Sequence, residues 1–242
     1  MILENSQDTY YQYNSEDFQQ ESTSGSKPII LLINCKIMAI KTIIFDLGGV
    51  LVDLDFSNFY NSIITQSPLN KPQTPIILEF FRQSDIYHQG MMEDEEFYHL
   101  ACDLLQVCEI DQTNFFNAFN SIISGYNPEV AELLKKLKQI KKFKIVCLSN
   151  VNSSHWKFLL KQNWEFLKYF DEFILSHEVH MTKPDKKIFE YAIEKAGCGP
   201  EEIVFIDDGI NNIHSARELG IIGIKFTNKE DLINELKNLQ IM

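Results

Sequence analysis

From residue 42 onward, short apolar runs alternate with stretches of helical period. "TIIF" (42–45), "FKIVCL" (143–148), "EFIL" (172–175), "EIVFI" (202–206) and "IIGIKF" (221–226) are rich in β-branched and aromatic residues and read as buried strands. Between the later runs lie "PEVAELLKKLKQI" (128–140), "PDKKIFEYAIEKAG" (184–197) and "NNIHSARELG" (211–220), each with a helical spacing of apolar positions. Pro184 suits a first helical turn and Gly197 a stop. Strands alternating with helices predict an α/β fold, a doubly wound parallel sheet covered on both faces.

Residues 56–126 interrupt that rhythm. They are rich in Phe, Tyr, Asn and Gln, and "PIILEFFRQ" (75–83), "EDEEFYHLACDLLQ" (93–106) and "TNFFNAFNSII" (113–123) carry helical periods. The expectation is an inserted helical cap over 56–126, a lid above the strand ends, with the core formed by 38–55 and 127–242. Residues 1–37 divide into a polar, acidic stretch (1–27) and a short apolar run, "IILLI" (29–33), too brief for a secretory segment. They read as a disordered extension, with Met38 a candidate start of the folded protein.

Composition narrows the partners. A net charge of −12 repels nucleic acid and anionic membrane, while leaving small phosphorylated substrates open because those answer to local charge. No apolar stretch reaches the roughly 18–20 residues of a membrane span. Cys35, Cys102, Cys108, Cys147 and Cys198 form no C-x-x-C pair, so reduced thiols in a cytoplasmic protein are the plain reading. A monomer or small homo-oligomer is expected.

The candidate chemistry lies where the strands end, the edge at which open parallel sheets bind ligands. Strand one ends in Asp46, strand two in Ser149-Asn150 and strand four in Asp207-Asp208, while the loop "SHEVHMTKPD" delivers Lys183. Asp46 and Asp208, if they converge, repel each other unless a cation lies between them, and hard oxygen ligands suit Mg²⁺. Ser149, Asn150 and Lys183 supply donors and a positive charge for a tetrahedral dianion, and a carboxylate beside them can attack phosphorus. Asp53 and Asp55 read as turn and cap residues, and "EDEE" (93–96) as the acidic first turn of a helix. The histidines, His155, His177, His180 and His214 among them, show no spacing that argues for a transition-metal site.

"FDLGGVLVD", "CLSN", "TKPD" and "FIDDGINNI" resemble, in order, the four motifs of the haloacid dehalogenase superfamily, over residues 39–242. The nearest likeness is to its capped phosphatases, such as sugar-1-phosphate phosphatases and the phosphatase domain of soluble epoxide hydrolase. The resemblance implies that Asp46 forms an aspartyl-phosphate, that Ser149 and Asn150 hold phosphate oxygens, and that Lys183 neutralises both. It further implies a Mg²⁺ site at Asp46, the Gly48 carbonyl oxygen and Asp208, supported by Asp207, with Asn212 where relatives often carry an acid. His180 stands where relatives often have Gly.

Gly48 departs from the pattern. Many relatives carry there an Asp that protonates the leaving group, and dehalogenases carry Tyr, so Gly48 argues against dehalogenation. General acid catalysis is worth ~10²–10⁴-fold, which points to substrates with easier leaving groups, sugar phosphates being favoured. The alternative is a catalytically weak or inactive protein of the same fold that binds a phosphorylated ligand or a protein partner.

Overall fold

The apolar runs become the strands they predict. β1 (Thr42–Phe45) is buried throughout, and a tight turn leads into the short β2 (Val52–Leu54). Among the described residues, four α-helices follow: α1 (Ser57–Ser62), α2 (Thr74–His88), α3 (Asp94–Leu105) and α4 (Gln112–Asn120). β3 (Ile123–Tyr126) then returns antiparallel to β2. The chain continues through α5 (Pro128–Ile140), β4 (Lys144–Ser149), α6 (Ser153–Lys161), β5 (Glu172–Leu175) and the single turn α7 (Ser176–Val179). It ends with α8 (Lys186–Ala196), β6 (Ile203–Asp207), α9 (Ile210–Glu218), β7 (Ile222–Lys225) and α10 (Lys229–Asn238). The computed structural model describes residues 39–67, 74–107 and 109–242. The extension expected over 1–37, the candidate start at Met38, Cys35 and Cys108 all lie outside them.

The sheet order is β5-β4-β1-β6-β7, parallel throughout. The first strand is central, so later strands add on both sides and the crossover helices cover both faces. Alternation along β1 makes this concrete. Ile43 and Phe45 pack with Leu133, Leu134 and Leu137 of α5 and Leu232 and Leu236 of α10. Ile44 points the other way, onto Ile188, Phe189 and Ala192 of α8 and Ile213 and Ala216 of α9.

Register then fixes the functional edge. Phe45 pairs with Cys147 of β4 and Ile206 of β6, and the Asp46 N–H donates to the Ile206 carbonyl at 2.9 Å. Asp46 therefore leaves its strand level with the end of β6, where Asp207 and Asp208 follow.

α1–α4 have a hydrophobic core of their own, built on Phe59, Phe80, Tyr87, Phe97, Phe115 and Phe119. Tyr87 stacks on Phe97 with ring centroids 4.2 Å apart. α3 starts with a reciprocal capping box between Glu93 and Glu96, as the acidic "EDEE" run predicts.

Three details differ from the sequence reading. The helix predicted from Pro184 begins at Lys186, because the Asp185 side chain accepts from the Lys187 N–H and caps it; Pro184 lies before the cap, joined to Lys183 by a cis peptide. The predicted helix at 113–123 stops at Asn120 and gives way to β3. The β2–β3 ribbon left no pattern to read. Each strand buries one residue, Val52 or Ile123, and the register shifts between Asp53 and Leu54.

Candidate active site

Asp46, Lys183 and Asp207 meet at the ends of β1 and β6. Lys183 is 1% exposed at its side chain, and its Nζ lies 2.9 Å from Asp46 Oδ1 and 2.6 Å from Asp207 Oδ2. It also lies 5.5 Å from the centre of the Phe205 ring. Nothing local holds a lysine in such a place. Asn150 does so by gripping the Lys183 main chain twice: its Nδ2 donates to the Lys183 carbonyl at 2.8 Å, and its Oδ1 accepts the Lys183 N–H at 2.9 Å.

This changes the role expected for Asn150. Its side-chain amide is committed to positioning Lys183, which leaves its main-chain N–H as the donor it can offer to a bound anion. Ser149, buried at the last residue of β4, sits beside it.

Asp207 is fully buried and doubly supported. Its Oδ1 accepts the Gly209 N–H at 2.7 Å and Asn212 Nδ2 at 2.9 Å, while its Oδ2 takes Lys183. Asn212 thus neutralises none of the charge and fixes the carboxylate. Asp208 is exposed and turned towards the glycine turn after β1. A Cβ built on Gly49 would lie 2.3 Å from Asp208 Oδ2, and Gly49 has φ +74°, so only glycine serves at that position.

The electrostatics are unbalanced in one direction. Carboxylate oxygens of Asp46, Asp207 and Asp208 lie within 4.8 Å of one another, the one such group of metal-ligating side chains found among the described residues. Three acids face one lysine. Burial pushes the Asp46 carboxyl up to about 7, Lys183 opposes that rise, and Asp207 adds to it. Burial also raises Asp208, with Asp207 contributing. Lys183 is driven down by burial but held above its ordinary value by Asp46 and Asp207. Excess negative charge on hard oxygen donors fits a divalent cation such as Mg²⁺ and does not fit a soft transition metal.

Gly48 stands at the rim. A Cβ there would lie 3.1 Å from a terminal methyl of Leu54, whose side chain is 46% exposed. The space an acid at this position would enter is thus bordered by an exposed apolar tip. Asp55 accepts the Ser57 N–H at 2.8 Å, the turn role expected of it, whereas Asp53 lies within β2 opposite Gly125, a strand position rather than a turn or cap. His180 adopts a left-handed backbone (φ +57°), which explains why glycine suits this position, and its Nδ1 meets the Gln89 carbonyl at 2.8 Å.

Sequence reasoning missed Gly49, Asn152 and Ser176. Gly49 was visible only as a second glycine. The other two lie in no recognisable spacing.

A family model for haloacid dehalogenase-like hydrolases matches residues 40–220. A D-ribitol-5-phosphate phosphatase from Bacteroides thetaiotaomicron is 29% identical over 81% of this chain and 97% of its own. A sesquiterpene phosphatase from Aspergillus oryzae is 25% identical, over 82% and 96% respectively. A crystal structure of a HAD family enzyme from Bacteroides thetaiotaomicron, in complex with magnesium and inorganic phosphate, superposes with a TM-score of 0.65. It is 30% identical, over 78% of this chain and 95% of that one. Among the described residues no helix is long and apolar enough to cross a membrane. The order of the four motifs, the strand-end site and the family match carry one conclusion: this chain belongs to the haloacid dehalogenase-like hydrolases.

Proposed function

We propose that this hydrolase is a Mg²⁺-dependent phosphatase acting on a small phosphorylated metabolite, with a sugar phosphate favoured, through an aspartyl-phosphate on Asp46. The observation that carries the reading is the buried Asp46–Lys183–Asp207 contact beside a third carboxylate, at the ends of β1 and β6, next to β4, which ends in Ser149 with Asn150 following. The named relatives act on a polyol phosphate and a sesquiterpene phosphate, which supports phosphate monoesters as a class and leaves the organic group open.

In this reading Asp46, the Gly48 carbonyl oxygen and Asp208 hold Mg²⁺, with Asp207 in support. The ion supplies charge neutralisation for the phosphoryl group and for the carboxylates around it. Lys183, fixed by Asn150, balances Asp46 and receives a phosphate oxygen. Ser149 and the Asn150 main chain donate to the others. An ionised Asp46 oxygen attacks phosphorus, the ester oxygen departs, and water then releases phosphate from the aspartyl ester. The helices α1–α4 act as a cap that shields the transfer from bulk water and selects the organic group.

No side chain at position 48 protonates the departing oxygen, so turnover favours leaving groups that need little help, such as anomeric sugar phosphates. A panel of phosphorylated metabolites with Mg²⁺ tests this. Sugar-1-phosphates should exceed simple alkyl phosphates; equal or better turnover of alkyl phosphates removes the argument from Gly48. Gly48→Asp should raise alkyl phosphate turnover by up to ~10²-fold, the lower end of general acid catalysis, since Leu54 has to yield only a few tenths of an ångström.

A further inference from the structure

Asn152 is 0% exposed and lies three residues past Ser149, at the start of α6. Its Oδ1 accepts the His155 backbone N–H at 2.8 Å, which caps the helix and fixes which way the amide faces. Nδ2 is left 3.3 Å from His88 Nε2 and 3.2 Å from His155 Nδ1. An amide NH₂ only donates, so both ring nitrogens must accept and carry no proton. The opposite nitrogens face carbonyls. His88 Nδ1 lies 2.8 Å from the Ser84 oxygen and His155 Nε2 lies 3.1 Å from that of Phe119, so each bears its ring's single proton. The two imidazoles are therefore neutral and held in opposite tautomers.

This network joins parts of the fold that are distant in sequence. Ser84 and His88 belong to α2 and Phe119 to α4, whereas Asn152 and His155 belong to α6. His88 holds the same loop a second time. Ser176, also 0% exposed, places its Oγ 2.7 Å from the His88 carbonyl and accepts the Val151 N–H at 2.9 Å, while His177 Nδ1 lies 2.8 Å from the Val151 carbonyl. Packing leaves no slack, since a Cβ at Gly90 would stand 2.1 Å from the His177 carbonyl oxygen. Asp85 and His177 are the charged or titratable groups that face His88, with opposite effects. His155 faces His88 and stacks on the Phe119 ring, centroids 4.4 Å apart. Asp94 of α3 and Lys157 of α6 pair with each other across the two helices, beside Tyr87 and Ser153.

We infer that Asn152 is a positioning residue: with His88 and His155 it fastens the Ser149–Asn152 loop to the helices α2 and α4, and the fastening holds only while both histidines are neutral. A proton on either accepting nitrogen sets N–H against N–H₂, and the loop loses its tie to the helical layer. The phosphatase reading enters only through what the loop holds, namely phosphate; the fastening does not depend on it.

Asn152→Asp separates this role from helix capping. Asp caps a helix about as well as Asn, but its second oxygen accepts where the amide donated, so it favours imidazolium. The ring C–H resonances of His88 and His155, followed by NMR from pH 8 to 4.5, should stay in the neutral form at pH 6 in the wild type. In Asn152→Asp they should titrate above the ordinary value of about 6.5. With p-nitrophenyl phosphate and Mg²⁺, the ratio of the wild-type KM to that of His155→Gln, in which the titrations of Asp46 and of the substrate cancel, should stay level from pH 7 to 5 and rise below pH 5 as His155 takes up its proton, towards the roughly five- to tenfold loss of one such hydrogen bond. In Asn152→Asp that dependence should invert. His155→Gln can accept from Asn152 and donate to the Phe119 carbonyl without titrating, and should flatten the acid rise in KM. Unchanged imidazole titrations in Asn152→Asp overturn the inference, as do shifted titrations with a KM profile parallel to the wild type. Absence of any phosphate release by the wild type contradicts the phosphatase reading alone, and the imidazole titrations still decide the fastening.

Discussion

Two buried polar clusters flank the loop after β4, and they solve the problem of burial in opposite ways. Asp46, Lys183 and Asp207 are held by charge, with more negative than positive groups. His88, Asn152 and His155 are held by its absence, each hydrogen bond requiring a neutral ring. In a low-dielectric interior an ion cluster is stable only if every member stays, whereas a neutral network is stable only if no member gains a proton. The first arrangement suits a site that must receive a cation and an anion. The second suits a joint between two layers of structure.

The largest separation between the clusters should come from removing the nucleophile. Asp46→Asn is expected to cut Mg²⁺-dependent phosphate release by about 10⁴–10⁶-fold, the range seen when a covalent nucleophile is lost, with far-ultraviolet circular dichroism unchanged. His155→Gln assayed at pH 7.5 should stay within about tenfold of the wild type. Comparable losses in both would erase the distinction.

Lys183→Met comes next. It leaves two buried carboxylates facing each other, and breaking a buried ion pair from one side typically costs about 3–5 kcal/mol. Urea unfolding should show that loss, with part of it restored by millimolar Mg²⁺. A stability equal to the wild type would mean that the cluster is not held by charge.

Acid should then find the second cluster. Burial lowers His155 to about 4 and lowers His88 as well, so the unfolded chain takes up protons first, near pH 6.5. Stability is full above that pH and falls as pH drops towards 4, by on the order of 2–3 kcal/mol for His155. Urea midpoints compared between wild type and His155→Gln from pH 7 to 4.5 would measure it. Parallel curves would contradict the assignment of neutral rings.

The smallest effect concerns the turn that lets Asp208 approach. Gly49→Ala should cost about 1–2 kcal/mol through its left-handed backbone and weaken Mg²⁺ binding by displacing the Asp208 carboxylate. Thermal melting with and without Mg²⁺ separates the two contributions.

The clusters also differ in how far they could be read from the chain. Asp46, Ser149 and Asp207 announce themselves because parallel strands deliver their ends to one edge, each carrying a polar residue after an apolar run, and Lys183 through the loop "SHEVHMTKPD" beyond β5. Register did the rest, setting Asp46 level with Asp207. Asn150 shows the limit of that reasoning. Its place in the site was legible, but its amide spans to the Lys183 main chain, a contact that depends on how the 176–185 loop folds back. The second cluster draws on residues 64 positions apart in sequence, His88 and Asn152, joined only by the packing of α2 on α7 and of α4 on α6. No periodicity encodes such a meeting. The β2–β3 ribbon was hidden for a simpler reason, since strands that bury one side chain each leave no alternation.

The central claim is that Asp46 becomes phosphorylated. Single-turnover reaction with a phosphorylated sugar in ¹⁸O-labelled water, followed by proteolysis and mass spectrometry, tests it directly. The account predicts that water attacks phosphorus of the aspartyl ester, so the label appears in released phosphate and is absent from Asp46, and a phosphorylated Asp46 peptide is seen on acid quench. Phosphate release without a phosphorylated Asp46 peptide, or release that persists in Asp46→Asn, would contradict it.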